Sequence, residues 1–244
     1  TACVFMVVIG VVLFSTMALA SPLFQNAFGY PILTAGLLLA TRGGGTFVAM
    51  MLVSRLMTYF EAKVLIATGL SLIAVTLYDM TGWTADTQVQ TIVVNSVIQG
   101  FGLGLVFVPL STAAFLTLPN HLRTDGTSML TLIRNVASSI GISIVIAQLT
   151  SGTARVHAVL AEHVTPFNQA LQMPDVSSIV NLTTDAGRAL METILLAQAQ
   201  IIAFSQDFEL VAMITACAIP LAIILGSTRA SMRAPDPNHA AVME

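Results

Sequence analysis

The sequence predicts an all-α membrane protein with six transmembrane helices, and three observations predict it. Apolar residues make up 56% of the 244-residue chain and charged residues only 9%, with a mean hydropathy of +0.87. A domain that folds in water carries about 25% charge, so this chain lacks the shell it would need there. The apolar residues also come in runs of about twenty, long enough to cross roughly 30 Å of hydrocarbon as helix. Lastly, there are six such runs, at about residues 2–22, 33–54, 64–82, 91–117, 127–149 and 208–227.

The first three runs follow one another through short links, and the next three repeat the pattern in the opposite orientation. A 3+3 inverted repeat of this kind is a transporter architecture. Residues 1–227 form the expected membrane domain, and residues 228–244, with Pro235 and Pro237, a disordered cytoplasmic tail. The chain starts at Thr1 inside an apolar run, with no Met and no signal-peptide pattern, and so reads as a piece of something longer.

Between the fifth and sixth runs lies a polar stretch, about residues 150–207, expected as a long extracytoplasmic loop. Its segment 188–205 is apolar but broken by Glu192, Gln198 and Gln200, which suits an interfacial helix lying on the membrane surface. Six spans place Arg55, Lys63, Arg123, Arg229 and Arg233 on one side, in short links and the tail. Arg155 and Arg188 fall on the other, in the long loop. The positive-inside bias then puts both ends of the chain in the cytoplasm. A seventh span would spoil that bias.

Arg42 and Arg134 fall inside spans. Arg42 lies about 13 Å from the outer end of the second run and Arg134 about 10 Å from the inner end of the fifth, at helical rise. These are the middle helices of the two triplets. A charge within hydrocarbon is costly unless paired or hydrated, so each arginine is a functional or paired group by default. Snorkelling to the cytoplasmic interface is the competing account for Arg134. Asp79 and Glu209 lie near the outer ends of their spans, so a carboxylate partner for the arginines is expected outside this chain.

Uncharged amides form a second set: Gln25, Asn95, Gln99, Asn135 and Gln148. An amide in lipid needs a partner, so these either glue helices together or line a wet cavity. Phe14, Met17, Phe24, Phe101 and Phe107 on the first and fourth runs suit loose binding of apolar compounds, or simply pack. Gly43 and Gly44 follow Arg42, and Gly100, Gly102 and Gly104 precede Pro109. Glycine allows close helix approach and Pro109 removes a helix hydrogen bond, so these residues pack or bend their spans.

Other chemistries find no support. The charge of −3 offers nucleic acid no basic surface. Cys3 and Cys217 sit in apolar runs and read as small buried hydrophobes. His121, His157, His163 and His239 lie in links or the tail, so neither a metal site nor an intramembrane His-dependent protease is expected. There is no P-loop and no G-x-S-x-G elbow. Neither enzyme activity nor a cofactor is expected.

The run Pro22-Leu-Phe-Gln25-Asn-Ala-Phe-Gly29-Tyr30, with Ala35-Gly36-Leu37 and Arg42-Gly43 after it, resembles the ninth and tenth spans of the fourteen-span drug:proton antiporters, the EmrB/QacA group of the major facilitator superfamily. Gln99-Gly100-Phe-Gly102-Leu-Gly104 with Phe107-Val-Pro109-Leu110 resembles that group's twelfth span, and Arg134-Asn135 with Ser139-Ile-Gly141 its thirteenth. Gln198-Ala199 and Asp207-Phe208 resemble the motif leading into its last span. Ala40-Thr41 departs from the pattern, where many relatives carry a proline before Arg-Gly.

The resemblance implies the C-terminal six-span half of a drug:H+ antiporter in a bacterial inner membrane. Alternating access, powered by the proton gradient alone, would export amphipathic toxic compounds. The first and fourth spans would face the central cavity, and the second and fifth would lie against the other domain. Proton-carrying acids would belong to the N-terminal half. A periplasmic adaptor would be a further partner, besides the lipid bilayer. The alternative is a non-transporting scaffold or sensor that acts through the external loop.

Overall fold

The computed structural model describes residues 2–84, 86–115, 123–164 and 184–224. The expected tail at 228–244, residues 165–183 of the expected loop, His121 and His239 lie outside the described residues. Six long helices account for nearly all of the rest: α1 (Ala2–Pro22), α2 (Ile32–Tyr59), α3 (Ala62–Met80), α4 (Val89–Phe115), α5 (Arg123–His163) and α6 (Asp185–Ile224). All six are long and apolar enough to cross a membrane. There is no strand among the described residues.

Local chemistry sets the first boundary. Pro22 has no N–H to donate, and the chain beyond it widens into a π turn, Leu23–Ala27. Phe28 N–H donates to Leu23 O at 3.0 Å and Tyr30 N–H to Phe24 O at 2.9 Å. Gly29 then reverses the chain at φ +68°, a conformation that costs a residue with a side chain more than it costs glycine. Pro31 caps the start of α2 and accepts the Ala35 N–H at 3.0 Å.

The helices pack as α1 on α5, α2 on α4, and α3 on both α4 and α6, with α1 also touching α6. Exchanging the two triplets maps α1·α5 onto α4·α2 and α3·α4 onto α6·α1, so the contacts repeat with the predicted inversion. Apolar side chains gain little by leaving lipid for a helix interface, so close packing has to hold the seams. A Cβ on Gly45 or Gly100 would overlap the backbone across α2·α4, at Val97 and Arg42 respectively. One on Gly104 would stand 2.5 Å from Ala49 Cβ. At α1·α5, a Cβ on Gly10 would stand 2.7 Å from Arg134 O, and one on Gly141 3.0 Å from Val11 Cα. Thr46 Oγ1 stitches α2 to α4, at 3.0 Å from Arg42 O and 2.9 Å from Gly100 O.

Between the fifth and sixth runs the helices extend further than the apolar runs do. Residues 150–163 continue α5, and 188–205 are the first half of α6 rather than a separate interfacial helix. α5 and α6 have 41 and 40 residues, about 60 Å each at helical rise, twice the thickness of the hydrocarbon. Each helix is therefore longer than a single crossing needs. The polar interruptions do not break the helix because the two extensions pack on each other. His157 Nε2 lies 3.0 Å from Glu192 Oε1, and a Cβ on Gly152 would stand 3.6 Å from Ala203 Cβ. α2 and α3, their counterparts in the first triplet, make no comparable contact.

Candidate functional site

Arg42 is 6% exposed, and its Nε and one Nη nitrogen lack a hydrogen-bond partner. The Gly45/Gly100 seam holds it: its carbonyl is pressed on Gly100, which leaves the guanidinium inside the bundle. Nothing among the described residues neutralises it. Burying an unpaired guanidinium is costly, so the position is poised for a partner from outside the described residues.

Arg134 occupies the matching place on α5, with its carbonyl against Gly10. It is half-buried, its Nε lacks a partner, and its guanidinium carbon stands 5.9 Å from the centre of the Phe107 ring on α4. A cation over an aromatic face is a favourable contact. A cavity of about 80 Å³ beside it is lined by Met6, Phe107, Ser111 and Thr131. Asn135 is exposed on the neighbouring surface of α5, in a groove with Thr131 and Val136.

Two of the other amides pair away from the arginines. Gln25 Nε2, in the π turn, donates to Ser21 Oγ at 2.9 Å. Asn95 turns to α3, where its Nδ2 donates to Thr76 O at 3.1 Å and to Asp79 Oδ2 at 2.8 Å. Gln99 is 3% exposed, and its Nε2 has no partner. Gly102 meets α3 near Gly69, and Pro109 lies inside α4. Gly43 and Gly44 have open space around them, so Gly45 makes the close approach to α4.

Sequence reasoning missed Asp207, which it placed before the last span. It is 1% exposed on α6, and its Oδ2 has no hydrogen-bond partner. A signal was present in the sequence. Phe204, Phe208, Val211, Thr215, Ala218 and Ala222 recur at helical spacing and are all buried, and Asp207 falls on that stripe.

Two helices are left uncovered. In the apolar windows of α2 and α5, 28% and 22% of residues are buried, against 44–50% in the other four. Their exposed residues form ridges: Leu33, Leu37, Phe47 and Met51 on α2, and Leu132, Val136, Ile140 and Ile144 on α5.

The uncharacterized MFS-type transporter YhcA of Bacillus subtilis is 30% identical over 156 residues, which cover 64% of this chain and 29% of that protein. Over part of its length the chain is similar to a protein named as an MFS-type transporter. The multidrug export protein EmrB of Escherichia coli is 29% identical over 164 residues, covering 65% of this chain and 31% of that protein. The lincomycin resistance protein LmrB of Listeria monocytogenes is 27% identical over 138 residues, covering 57% and 29%. The chain thus matches less than a third of the length of these relatives. No family model matches it. Among the described residues no group of His, Cys, Asp and Glu is placed to hold a metal.

Proposed function

We propose that this chain is the C-terminal half of a proton-coupled exporter of amphipathic toxic compounds, working by alternating access in a bacterial inner membrane. The observation that carries this reading is Arg42, buried with unpartnered guanidinium nitrogens on a helix whose outer ridge is uncovered. A second six-helix domain against α2 and α5 would cover the ridges. The names of the relatives, for multidrug export and lincomycin resistance, support the same reading. Arg42 and Arg134 would be the coupling residues, and the amides Gln25, Gln99 and Asn135 would contact substrate. Asp207 joins the acids of the other half as a proton-carrying candidate. No cofactor is needed, because the gradient supplies the work. Both ends of this chain would be cytoplasmic, and the projecting α5/α6 pair would meet a periplasmic adaptor.

The test is gradient-driven efflux of a fluorescent dye from cells expressing the native protein or its Arg42→Ala or Arg134→Ala variant. Each variant is expected to insert normally and to lose efflux. Normal efflux in both would remove the arginines from the mechanism.

The scaffold reading retains one specific support, the α5/α6 extension with its groove of about 450 Å³ beside His157 and Glu192. It predicts that deleting residues 150–205 abolishes partner binding, while substitutions at Gln25 and Gln99 change nothing.

A further inference from the structure

Three helices enclose the cavity beside Arg134: Met6 of α1, Phe107 and Ser111 of α4, and Thr127, Thr131 and Arg134 of α5 line it. At about 80 Å³ it has room for a few waters or one small ion. Drug-sized ligands take pockets of roughly 300 Å³ or more, so a drug does not fit.

The guanidinium brings donors to this space and finds no acceptor. The Phe107 ring, 5.9 Å from Arg134 Cζ, covers one face of the guanidinium, whose N–H groups lie in its plane. Nε is fully covered. The two Nη nitrogens keep accessible surface and have no hydrogen-bond partner among the described residues. The Thr131 hydroxyl is also without a partner there and can supply a further donor. Ser111 cannot, because its Oγ already donates to Phe107 O at 2.8 Å.

No acid on these helices stands close. α1 and α4 contain no charged residue, and the acids of α5 are Asp125 and Glu162. Along the helix they lie about 13 Å and about 42 Å from Arg134. Arg134 makes no ion pair among the described residues. Between walls such as Met6 and Phe107, a cation attracts an anion more strongly than it would in water.

We propose that this cavity binds a small monovalent anion of about the size of chloride, held by the Arg134 Nη donors and the Thr131 hydroxyl. One guanidinium balances one negative charge, and the space suits a halide or nitrate. A carboxylate from outside the described residues would offer the same charge, and the experiment separates the two. The site stands whether or not the chain exports drugs, because binding is measured without gradient or substrate.

The probe is radiolabelled chloride, in equilibrium binding to the full-length native protein purified in detergent, with gluconate as the balancing anion. Saturable binding is expected, displaced by bromide and nitrate but not by gluconate. Arg134→Gln should abolish it. Thr131→Val keeps the shape and the cation, should weaken chloride about tenfold, and decides the case if Arg134→Gln fails to fold. Absence of saturable binding to the native protein would overturn the proposal and leave a protein carboxylate as the partner of Arg134. Chloride binding that both variants leave unchanged would overturn it too. If chloride binds the native protein and Thr131→Val weakens it while Arg134→Ala exports dye normally, the anion site stands and the coupling role of Arg134 falls.

Discussion

The carbonyl of Arg42 rests on Gly100 so tightly that a methyl group there would overlap it. The same relationship recurs at the other arginine, where a Cβ on Gly10 would stand 2.7 Å from Arg134 O. Gly100 lies 90 residues after Gly10, and Arg134 lies 92 after Arg42. Each intramembrane arginine thus sits at the point where the middle helix of one triplet crosses the first helix of the other. The cation and its glycine belong to one repeated device.

Gly100→Ala should force α2 and α4 apart and cost about 1–3 kcal/mol, as overpacking does. Gly10→Ala should act similarly at α1·α5. Gly43→Ala meets open space, and replacing glycine by alanine inside a helix should leave stability equal or slightly higher. Thermal melting of the purified protein in detergent checks the ranking. A Gly100→Ala variant as stable as Gly43→Ala would contradict the seam.

Phe107→Leu removes the ring under Arg134 and keeps its bulk apolar. The expected stability loss is about 0.5–2 kcal/mol, larger than for Phe47→Leu on the uncovered ridge of α2. In an Arg134→Met background the Phe107→Leu loss should shrink, and a double-mutant cycle reads the difference.

A buried carboxyl oxygen without a partner is a stability liability. Asp207→Leu replaces the unpartnered carboxyl with an apolar group of similar size, so the melting temperature should rise, by the equivalent of about 1–3 kcal/mol. Under the export reading the same variant should lose gradient-driven efflux. A variant less stable than the native protein would mean that Asp207 has a partner in the complete transporter.

The α5/α6 extension makes a geometric prediction. A Cβ at Gly152 stands 3.6 Å from Ala203 Cβ, close to the mean separation of about 3.8 Å in disulfides. The double variant Gly152→Cys/Ala203→Cys should therefore cross-link on mild oxidation. After proteolysis between residues 164 and 184 the two fragments should stay joined on a gel without reductant. Fragments that separate would instead favour an extension of α6 lying on the membrane surface.

The legible part of this protein was the part that hydropathy and length control. Six apolar runs became six helices, and the inverted order of the triplets followed from their spacing. Arg42 and Arg134 stood out because lipid makes any internal charge conspicuous. Asp207 did not, since the polar residues around it disguised a buried stripe. Helix ends and the polar segment were less legible, because Glu192 and Gln198 weaken an apolar run without weakening a helix.

By itself the sequence determined the solvent, the number of spans and the residues too costly to be idle, because those follow from transfer free energies summed along the chain. Only the tertiary structure decided which glycines close a seam and that Asn95 serves Asp79. It alone showed that the second half of α5 and the first half of α6 lie against each other. Those are matters of distance between residues remote in the chain, and no one-dimensional pattern encodes which faces of two helices meet.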